Sequence, residues 1–226
     1  MTTFVNTPFG ALEGTEQDGV YRFLGVPFAE KPLGELRFRA PQMVRPWPET
    51  RQATGYEKDP MQANLVLGPE HYSEDCLYLN LWVPETTAKK LPVMVWVPGG
   101  AFATGGSGAV DPEGPSIYDC QQLAKDGGCI VVSISYRLNV FGFLNLSQFS
   151  SRFDDNIGMR DIIMALRWVQ EAIASFGGDP ENVTLVGESA GGEAISALLL
   201  IDEAKPYFHK AIIESNCFGS FYTQEE

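Results

Sequence analysis

The chain has 226 residues, 44% of them hydrophobic, which is enough for one domain with a sizeable core. Its 16 basic and 29 acidic residues give a formal net charge of -13 at pH 7, which opposes binding to nucleic-acid phosphates and to anionic membrane surfaces. No segment approaches the roughly 18 consecutive apolar residues of a membrane span. We therefore expect a single domain and neither a nucleic-acid partner nor a membrane span.

The first residues, MTTFVNTPFGALEG, lack a basic segment followed by an apolar one, so a secretory signal is not predicted. The four cysteines are widely spaced, form no C-x-x-C pair and have no histidine nearby, which indicates buried free thiols and not a metal or redox site. They are Cys76, Cys120, Cys129 and Cys217.

Short β-like runs occur in the first third of the chain, at 4–5, 11–12 and 20–24, and turn residues separate them. The proline-rich segment 27–42 follows. This pattern predicts antiparallel edge hairpins and then a meandering surface segment.

The character of the sequence changes after residue 76. LYLNLWVP at 77–84 alternates apolar and polar residues, whereas the runs at 92–98 and 129–136 are almost continuously apolar. The continuous runs predict central strands that are covered on both faces. We expect a helix between them, and hence a βαβ unit. Its apolar side chains at helical spacing would be Ile117, Cys120 and Leu123.

Residues 157–178 give the strongest helical pattern, with Gly177 as a left-handed cap. One apolar stripe is predicted for this helix, formed by Ile162, Ile163, Leu166, Val169 and Ile173. A strand at 183–187, a helix at 188–201 and a strand at 210–215 follow. Since strands and helices alternate, we predict an α/β fold with a mostly parallel central sheet.

The motif G-x-S-x-G lies between the predicted strand at 183–187 and the following helix, which is the context that a nucleophile elbow requires. A sharp turn there forces Ser189 into an unusual backbone geometry, so its neighbours Gly187 and Gly191 must lack side chains. Such a turn exposes the serine hydroxyl at the carboxyl edge of the sheet. It also makes the Ala190 N–H a candidate oxyanion donor.

A second set of oxyanion donors is expected from the glycine-rich loop 98–106, where the N–H groups of Gly100 and Ala101 are the candidates. The alternative is a phosphate-binding loop. It is the weaker interpretation, because the Gly-Lys-Ser/Thr ending of such loops is missing.

These residues resemble the type-B carboxylesterase and cholinesterase family. FGGDPENVTLVGESAGG is similar to its active-site signature, SEDCLYLNLWVP to its second signature, and FLGVPFAEKPLGELRF to its N-terminal block. The resemblance extends over nearly the whole chain. It implies an α/β-hydrolase fold, ester hydrolysis through an acyl-serine at Ser189, and no cofactor or metal.

The resemblance also assigns supporting roles. It implies that Glu188 orients the site through a hydrogen bond to Ser215. It further implies two ion pairs, one between Arg37 and Glu74 and one between Arg137 and Asp161.

Several positions depart from the family pattern. Family members are about twice as long, and their triad acid and histidine lie beyond the matched region, so we expect residues 1–226 to be an incomplete domain. The only histidines, His71 and His209, do not occupy the catalytic position. Met61 stands where a disulfide partner of Cys76 is usual, which favours a reducing, cytoplasmic location. Four smaller departures are Pro98, Ala101, Ile162 and Asn216.

Two functions compete. In the first, this chain is one part of a carboxylic-ester hydrolase, and the remaining catalytic residues come from other sequence or from a second chain. In the second, the chain is a catalytically inactive, truncated homologue that binds acyl ligands or a partner protein. An incomplete sheet would expose an apolar edge, so self-association or a partner chain is expected there.

Overall fold

The computed structural model describes residues 1–62, 68–108 and 118–216. Within these residues one large mixed sheet forms the centre and helices pack on it. The strands are β1 Thr2–Thr7, β2 Gly10–Gln17, β3 Val20–Pro27, β4 Arg51–Gln52, β5 Asp59–Pro60, β6 Tyr72–Ser73, β7 Tyr78–Pro84, β8 Leu91–Val97, β9 Ile130–Ile134, β10 Gly178–Glu188 and β11 Lys210–Glu214. The α-helices are α1 Gln121–Gly127, α2 Asn139–Gly142, α3 Ile157–Ala172 and α4 Ala190–Leu198, and 3-10 turns occur at Gly34–Leu36, Pro69–His71, Ile173–Phe176 and Lys205–Tyr207.

The strand order of the large sheet is β1-β2-β3-β7-β9-β8-β10-β11, with β4 paired to β2. Strands β1, β2, β3, β7 and β9 pair antiparallel in succession, whereas β9, β8, β10 and β11 pair parallel. The predicted antiparallel hairpins and parallel central strands are therefore confirmed. The predicted βαβ unit is also confirmed, since β8 and β9 are parallel neighbours joined through α1.

Two hydrophobic clusters show that the centre of the sheet is covered on both faces. In β9, Ile130 and Val132 belong to the larger cluster, whereas Val131 between them belongs to the smaller one. Helices α3 and α4 pack with the larger cluster and α1 with the smaller one. Because both faces are covered, β7 is buried at every residue despite its alternating sequence.

The helix predictions hold in part. The stripe predicted for α3 is buried at all five positions, and Gly177 adopts the left-handed conformation with φ 83°. The stripe predicted for α1 is wrong, because Leu123 is 47% exposed and Ala124 is the buried residue of this short helix. Cys120 precedes the first turn and is half-buried, and Ile117 lies outside the described residues.

Both implied ion pairs are present. Arg137 donates from Nε and Nη2 to the two carboxylate oxygens of Asp161, at 2.8 and 2.6 Å, and both side chains are buried. Arg37 makes a similar two-point contact with Glu74, but its guanidinium is half exposed. The buried pair ties the segment after β9 to α3, so breaking it would leave a buried charge without a partner.

Strand β11 is the last strand of the sheet in the described part of the chain. Four of its five residues are exposed, among them Ile212 at 43%. Its free edge carries unpaired peptide groups, which is the feature that allows another strand to be added. No helix of the described residues is long and apolar enough to cross a membrane.

Candidate active site

Ser189 lies in a strained turn between β10 and α4. Its φ of 56° and ψ of -124° are neither helical nor extended, and a residue with a side chain rarely adopts them. Helix α4 begins at the next residue. The predicted strand-to-helix elbow is therefore present.

The flanking glycines are required by direct backbone contact. A Cβ atom at Gly187 would lie 2.6 Å from the carbonyl carbon of Gly191, and one at Gly191 would lie 2.1 Å from the carbonyl oxygen of Val97. Both distances are shorter than any real contact of a Cβ atom. The two glycines bring β10, α4 and the end of β8 together so closely that no side chain fits.

The hydroxyl of Ser189 is free, whereas its backbone is held. The Ser189 N–H donates to the Glu214 carbonyl at 2.9 Å, and the Ser189 carbonyl accepts from the Glu193 N–H at 2.9 Å. The side chain is half-buried and makes no hydrogen bond with any other described residue. The hydroxyl can therefore react, but nothing in the described residues removes its proton.

The glycine-rich loop packs directly against this elbow. A Cβ atom at Gly99 would lie 2.6 Å from the Glu188 carbonyl oxygen and 3.4 Å from the Ser189 Cβ. Three successive residues of the loop have positive φ, namely Gly100 at 110°, Ala101 at 55° and Phe102 at 57°. The loop thus leaves β8, passes beside the serine and turns sharply.

Hydrogen bonds determine which way the peptide groups of this loop face. The Gly100 carbonyl accepts from the N–H groups of Ala103 and Thr104, at 3.0 and 2.9 Å, inside the turn. In a trans peptide the C=O and the following N–H point in opposite directions, so the Ala101 N–H points out of the turn. Within the described residues, the N–H groups of Gly100 and Ala101 donate no hydrogen bond. Ala190 is the first residue of α4, a position whose N–H has no partner inside the helix.

Glu188 differs from its implied role. The structure contains no hydrogen bond between Glu188 and Ser215. Glu188 pairs with Glu214 in the parallel register, and the chain turns away at Ser215, whose φ is 52°.

The charge of Glu188 also affects Tyr118. Burial is the main cause that raises the pKa of Tyr118, and the negative charge of Glu188 raises it further.

Neither histidine is hydrogen-bonded to Ser189. His209 precedes β11 and pairs with Val183, donating its N–H to the Val183 carbonyl and accepting the Val183 N–H at Nδ1. Val183 lies five residues before Glu188, where β10 ends, so it is about 17 Å from the end of the strand that leads to Ser189. His71 lies in a 3-10 turn, where its Nε2 is 3.7 Å from the carboxylate of Glu70.

Polar side chains distant in sequence hold the far end of the loop. The buried Asn80 of β7 donates to the Ser107 carbonyl and hydroxyl, at 3.0 and 3.1 Å, and accepts the Gly25 N–H. The Ser107 N–H donates to the Ser135 hydroxyl at 3.0 Å. The sequence did not predict this network, although Asn80 between the apolar residues Leu79 and Leu81 was a usable signal.

Asp59 supports the same loop from β5. Its Oδ1 accepts the Gly108 N–H at 3.2 Å, and a Cβ atom at Gly106 would lie 2.1 Å from it. Burial raises the pKa of Asp59 to about 6, although the Gly108 hydrogen bond and the nearby His71 lower it. Asp59 is therefore a buried carboxyl group whose charge changes near neutral pH.

An open, mostly apolar groove of about 610 Å³ lies next to the loop, between α3 and α4. Phe102 and Phe143 line it with their ring centroids 4.6 Å apart. The rest of its lining includes Met159, Ala194 and Ile201 and the charged residues Arg160, Glu193 and Glu203. Across the described ranges, no group of three or more His, Cys, Asp or Glu side chains could hold a metal ion.

The sequence model of the carboxylesterase family matches residues 1–226. The chain belongs to the carboxylesterase family. The para-nitrobenzyl esterase of Bacillus subtilis is 45% identical over 216 residues, which are 93% of this chain and 43% of that relative. The liver carboxylesterase of Sus scrofa is 44% identical over 220 residues, which are 91% of this chain and 37% of that protein.

Solved structures of carboxylesterases match the fold as well. One of a PNB esterase superposes with a TM-score of 0.87 at 45% identity and covers 96% of this chain and 44% of that one. A carboxylesterase of Geobacillus stearothermophilus gives a TM-score of 0.85 at 42% identity. The match covers 93% of this chain and 43% of the Geobacillus chain. The α/β-hydrolase fold is thereby confirmed, and the chain spans less than half the length of these relatives.

The positions that depart from the usual family residues have clear surroundings. Pro98 has no N–H, and its carbonyl accepts from the buried Tyr136 hydroxyl at 2.7 Å. Ile162 is fully buried in the larger cluster. Asn216 donates from Nδ2 to the Ser196 hydroxyl at 2.6 Å. Each of these residues is accommodated without disturbing the elbow.

Proposed function

We propose that this chain supplies the nucleophile and the oxyanion donors of a carboxylic-ester hydrolase. In this proposal Ser189 forms the acyl-serine, and the N–H groups of Gly100, Ala101 and Ala190 bind the oxyanion. The strained turn at Ser189, beside a loop with outward-facing N–H groups, is the observation that carries it. Such preorganised donors stabilise the charge that develops in acyl transfer.

The triad acid and histidine come, in this proposal, from polypeptide outside the 226 residues. Two observations support it: the relatives are more than twice as long as the matched region, and neither His71 nor His209 is hydrogen-bonded to Ser189. The free edge of β11 is where such polypeptide would continue the sheet, so residues 1–226 would be one part of a single domain.

The substrate we propose is a small hydrophobic ester. Support comes from the apolar groove, where Phe102 of the glycine loop and Phe143 form the wall beside the site. The proposal needs no cofactor, because the nucleophile and the donors are protein groups.

Labelling of Ser189 by a fluorophosphonate tests this function, since the reaction needs an activated hydroxyl. Losing the triad histidine costs on the order of a millionfold in turnover. We therefore expect very slow labelling of the chain alone. Labelling should rise at least about a thousandfold when the chain is coexpressed with the C-terminal remainder of the Bacillus subtilis relative.

The control is Ser189→Ala, which removes only the hydroxyl. Turnover of p-nitrophenyl acetate should follow labelling in both preparations. If neither labelling nor turnover exceeds this control after coexpression, the enzyme proposal is wrong.

The second candidate function is non-catalytic binding, and the exposed edge of β11 favours it. The partner we propose for this case is a polypeptide that adds a strand to β11. A complex detected by size-exclusion chromatography without any labelling of Ser189 would favour this candidate.

We also propose a reducing compartment such as the cytoplasm for this protein. Cys76 is a buried free thiol, and Met61 lines the same small cavity where a disulfide partner would lie. Burial raises the pKa of the Cys76 thiol, which keeps it unreactive. Subcellular fractionation checks this location, and recovery from an oxidising compartment would contradict it.

A further inference from the structure

Gln62 forms a reciprocal pair with the backbone of the glycine loop. Its Nε2 donates to the Gly105 carbonyl at 2.7 Å, and its Oε1 accepts the Gly105 N–H at 2.9 Å. The side-chain amide therefore acts as a peptide group of an adjacent strand would, and it satisfies both backbone groups of one residue. Its Nε2 also donates to the Pro60 carbonyl at 3.0 Å, which holds the amide plane in place.

The segment that carries Gln62 is tied to the loop a second time. Asn139 donates from Nδ2 to the Met61 carbonyl at 2.6 Å, and its own N–H donates to the Phe102 carbonyl at 2.7 Å. Residues 60–62 thus contact the loop both near its start, through Asn139, and near its end, through Gln62.

Gly105 transmits this support to the peptide that carries an oxyanion donor. With φ 100°, Gly105 packs against Gly99 so closely that a Cβ atom on it would lie 2.6 Å from the Gly99 carbonyl oxygen. The Gly99 carbonyl and the Gly100 N–H belong to one planar trans peptide, so they point in opposite directions. Gly105 therefore lies on the side of this peptide opposite the Gly100 N–H.

We propose that Gln62 is a positioning residue, which holds Gly105 against Gly99 and so keeps the Gly100 N–H directed toward Ser189. This inference rests on the proposed function, because it concerns the donors of the same site. Misplacing a donor by about 1 Å can cost on the order of a hundredfold in rate. A side chain that controls this peptide can therefore affect acylation without contacting the substrate.

Hydrogen exchange of the loop tests the positioning directly. In Gln62→Ala, the Gly105 N–H loses its acceptor and its carbonyl loses its donor, so exchange of the peptide 98–108 should become about tenfold faster. The matched control is Gln52→Ala, because Gln52 is an exposed glutamine bonded to Glu13 at the other end of the sheet. Unchanged exchange in Gln62→Ala would overturn the proposal, whether or not Ser189 reacts.

The rate of fluorophosphonate labelling, measured on the coexpressed complex, separates positioning from simple packing. The first-order rate of labelling at saturating probe should fall about tenfold in Gln62→Ala, whereas the probe concentration that gives half the maximal rate should not change. Faster exchange with unchanged labelling would make Gln62 structural only and would also overturn the proposal. Failure of the wild-type complex to label would reject the proposed function, and the exchange experiment would still decide the positioning.

The variant Gln62→Glu adds a readout that a packing role would not produce. An ionised glutamate accepts the Gly105 N–H but cannot donate to the Gly105 carbonyl, whereas a protonated glutamate does both. An ordinary glutamate has a pKa of about 4.3, so the labelling rate relative to wild type should recover as the pH is lowered from about 8 to about 4. The described ionisable groups that face this loop include Glu188, whose carboxylate lies beside Gly99, and Asp59 with the neighbouring His71. The ratio to wild type cancels their effects. A ratio independent of pH would contradict the proposed hydrogen-bond pair.

Discussion

The elbow and the glycine loop meet at Ser189, but different forces hold them. The elbow is held by backbone packing. A Cβ atom added to Gly187 or Gly191 would overlap the backbone atoms of another part of the chain. The loop is held by side chains that come from β5, from β7, from Ser135 just after β9 and from the segment that carries Gln62. A local constraint therefore shapes the turn at Ser189, whereas in our proposal long-range hydrogen bonds direct the amides that would stabilise the reaction.

The largest expected effect comes from breaking the local constraint. In Gly191→Ala, the new Cβ atom would lie 2.1 Å from the Val97 carbonyl oxygen, and no flexible side chain could give way. We expect a loss of unfolding free energy of more than about 4 kcal/mol and no labelling of Ser189. Urea denaturation and fluorophosphonate labelling measure the two effects.

Gly55→Ala is the matched control, since a Cβ atom at Gly55 would meet no atom within 4 Å. Its unfolding free energy should stay within about 0.5 kcal/mol of wild type. A stable, reactive Gly191→Ala would mean that the close approach of α4 to the end of β8 is not what shapes the elbow.

The same contrast explains which parts of the site could be predicted from the sequence. The elbow could be predicted because its requirements are local: a buried strand, two glycines around a serine, and a helix. The stripe of α3 was equally accessible, since helical periodicity is a property of one segment. The buried face of helix α1 could not be predicted in this way, because a helix of only seven residues offers several faces that could be buried. The tertiary packing of Ala124 against the small cluster decided between them.

The supports of the loop could not be predicted in this way. Gln62 and Asp59 lie in a segment with no periodicity, and their partners are 43 and 49 residues away. Glu188 shows a related difficulty. The sequence places it next to Ser189, but the implied hydrogen bond to Ser215 is absent, because that bond depends on how the chain turns at Ser215. Long-range pairing of single polar groups leaves little pattern in one sequence.

A smaller effect, on the pH dependence of stability, should distinguish the glycine loop from the elbow. Because burial raises the pKa of Asp59 to about 6 from an ordinary value of 3.8, the folded state holds a proton that the unfolded state has lost between these values. The unfolding free energy should therefore fall as pH rises through this window, by about 2 to 3 kcal/mol when the titration is complete.

The variant Asp59→Asn tests this dependence, because it keeps an acceptor for the Gly108 N–H without gaining a charge. Its stability relative to wild type should thus increase from pH 4 to pH 7. Urea denaturation across this range measures the difference, and parallel curves for the two proteins would contradict it. The protection of the peptide 98–108, which is its intrinsic exchange rate divided by the observed rate at the same pH, should change with pH in wild type only. The protection of the elbow, which contains no buried carboxyl group of this kind, should be alike in both proteins.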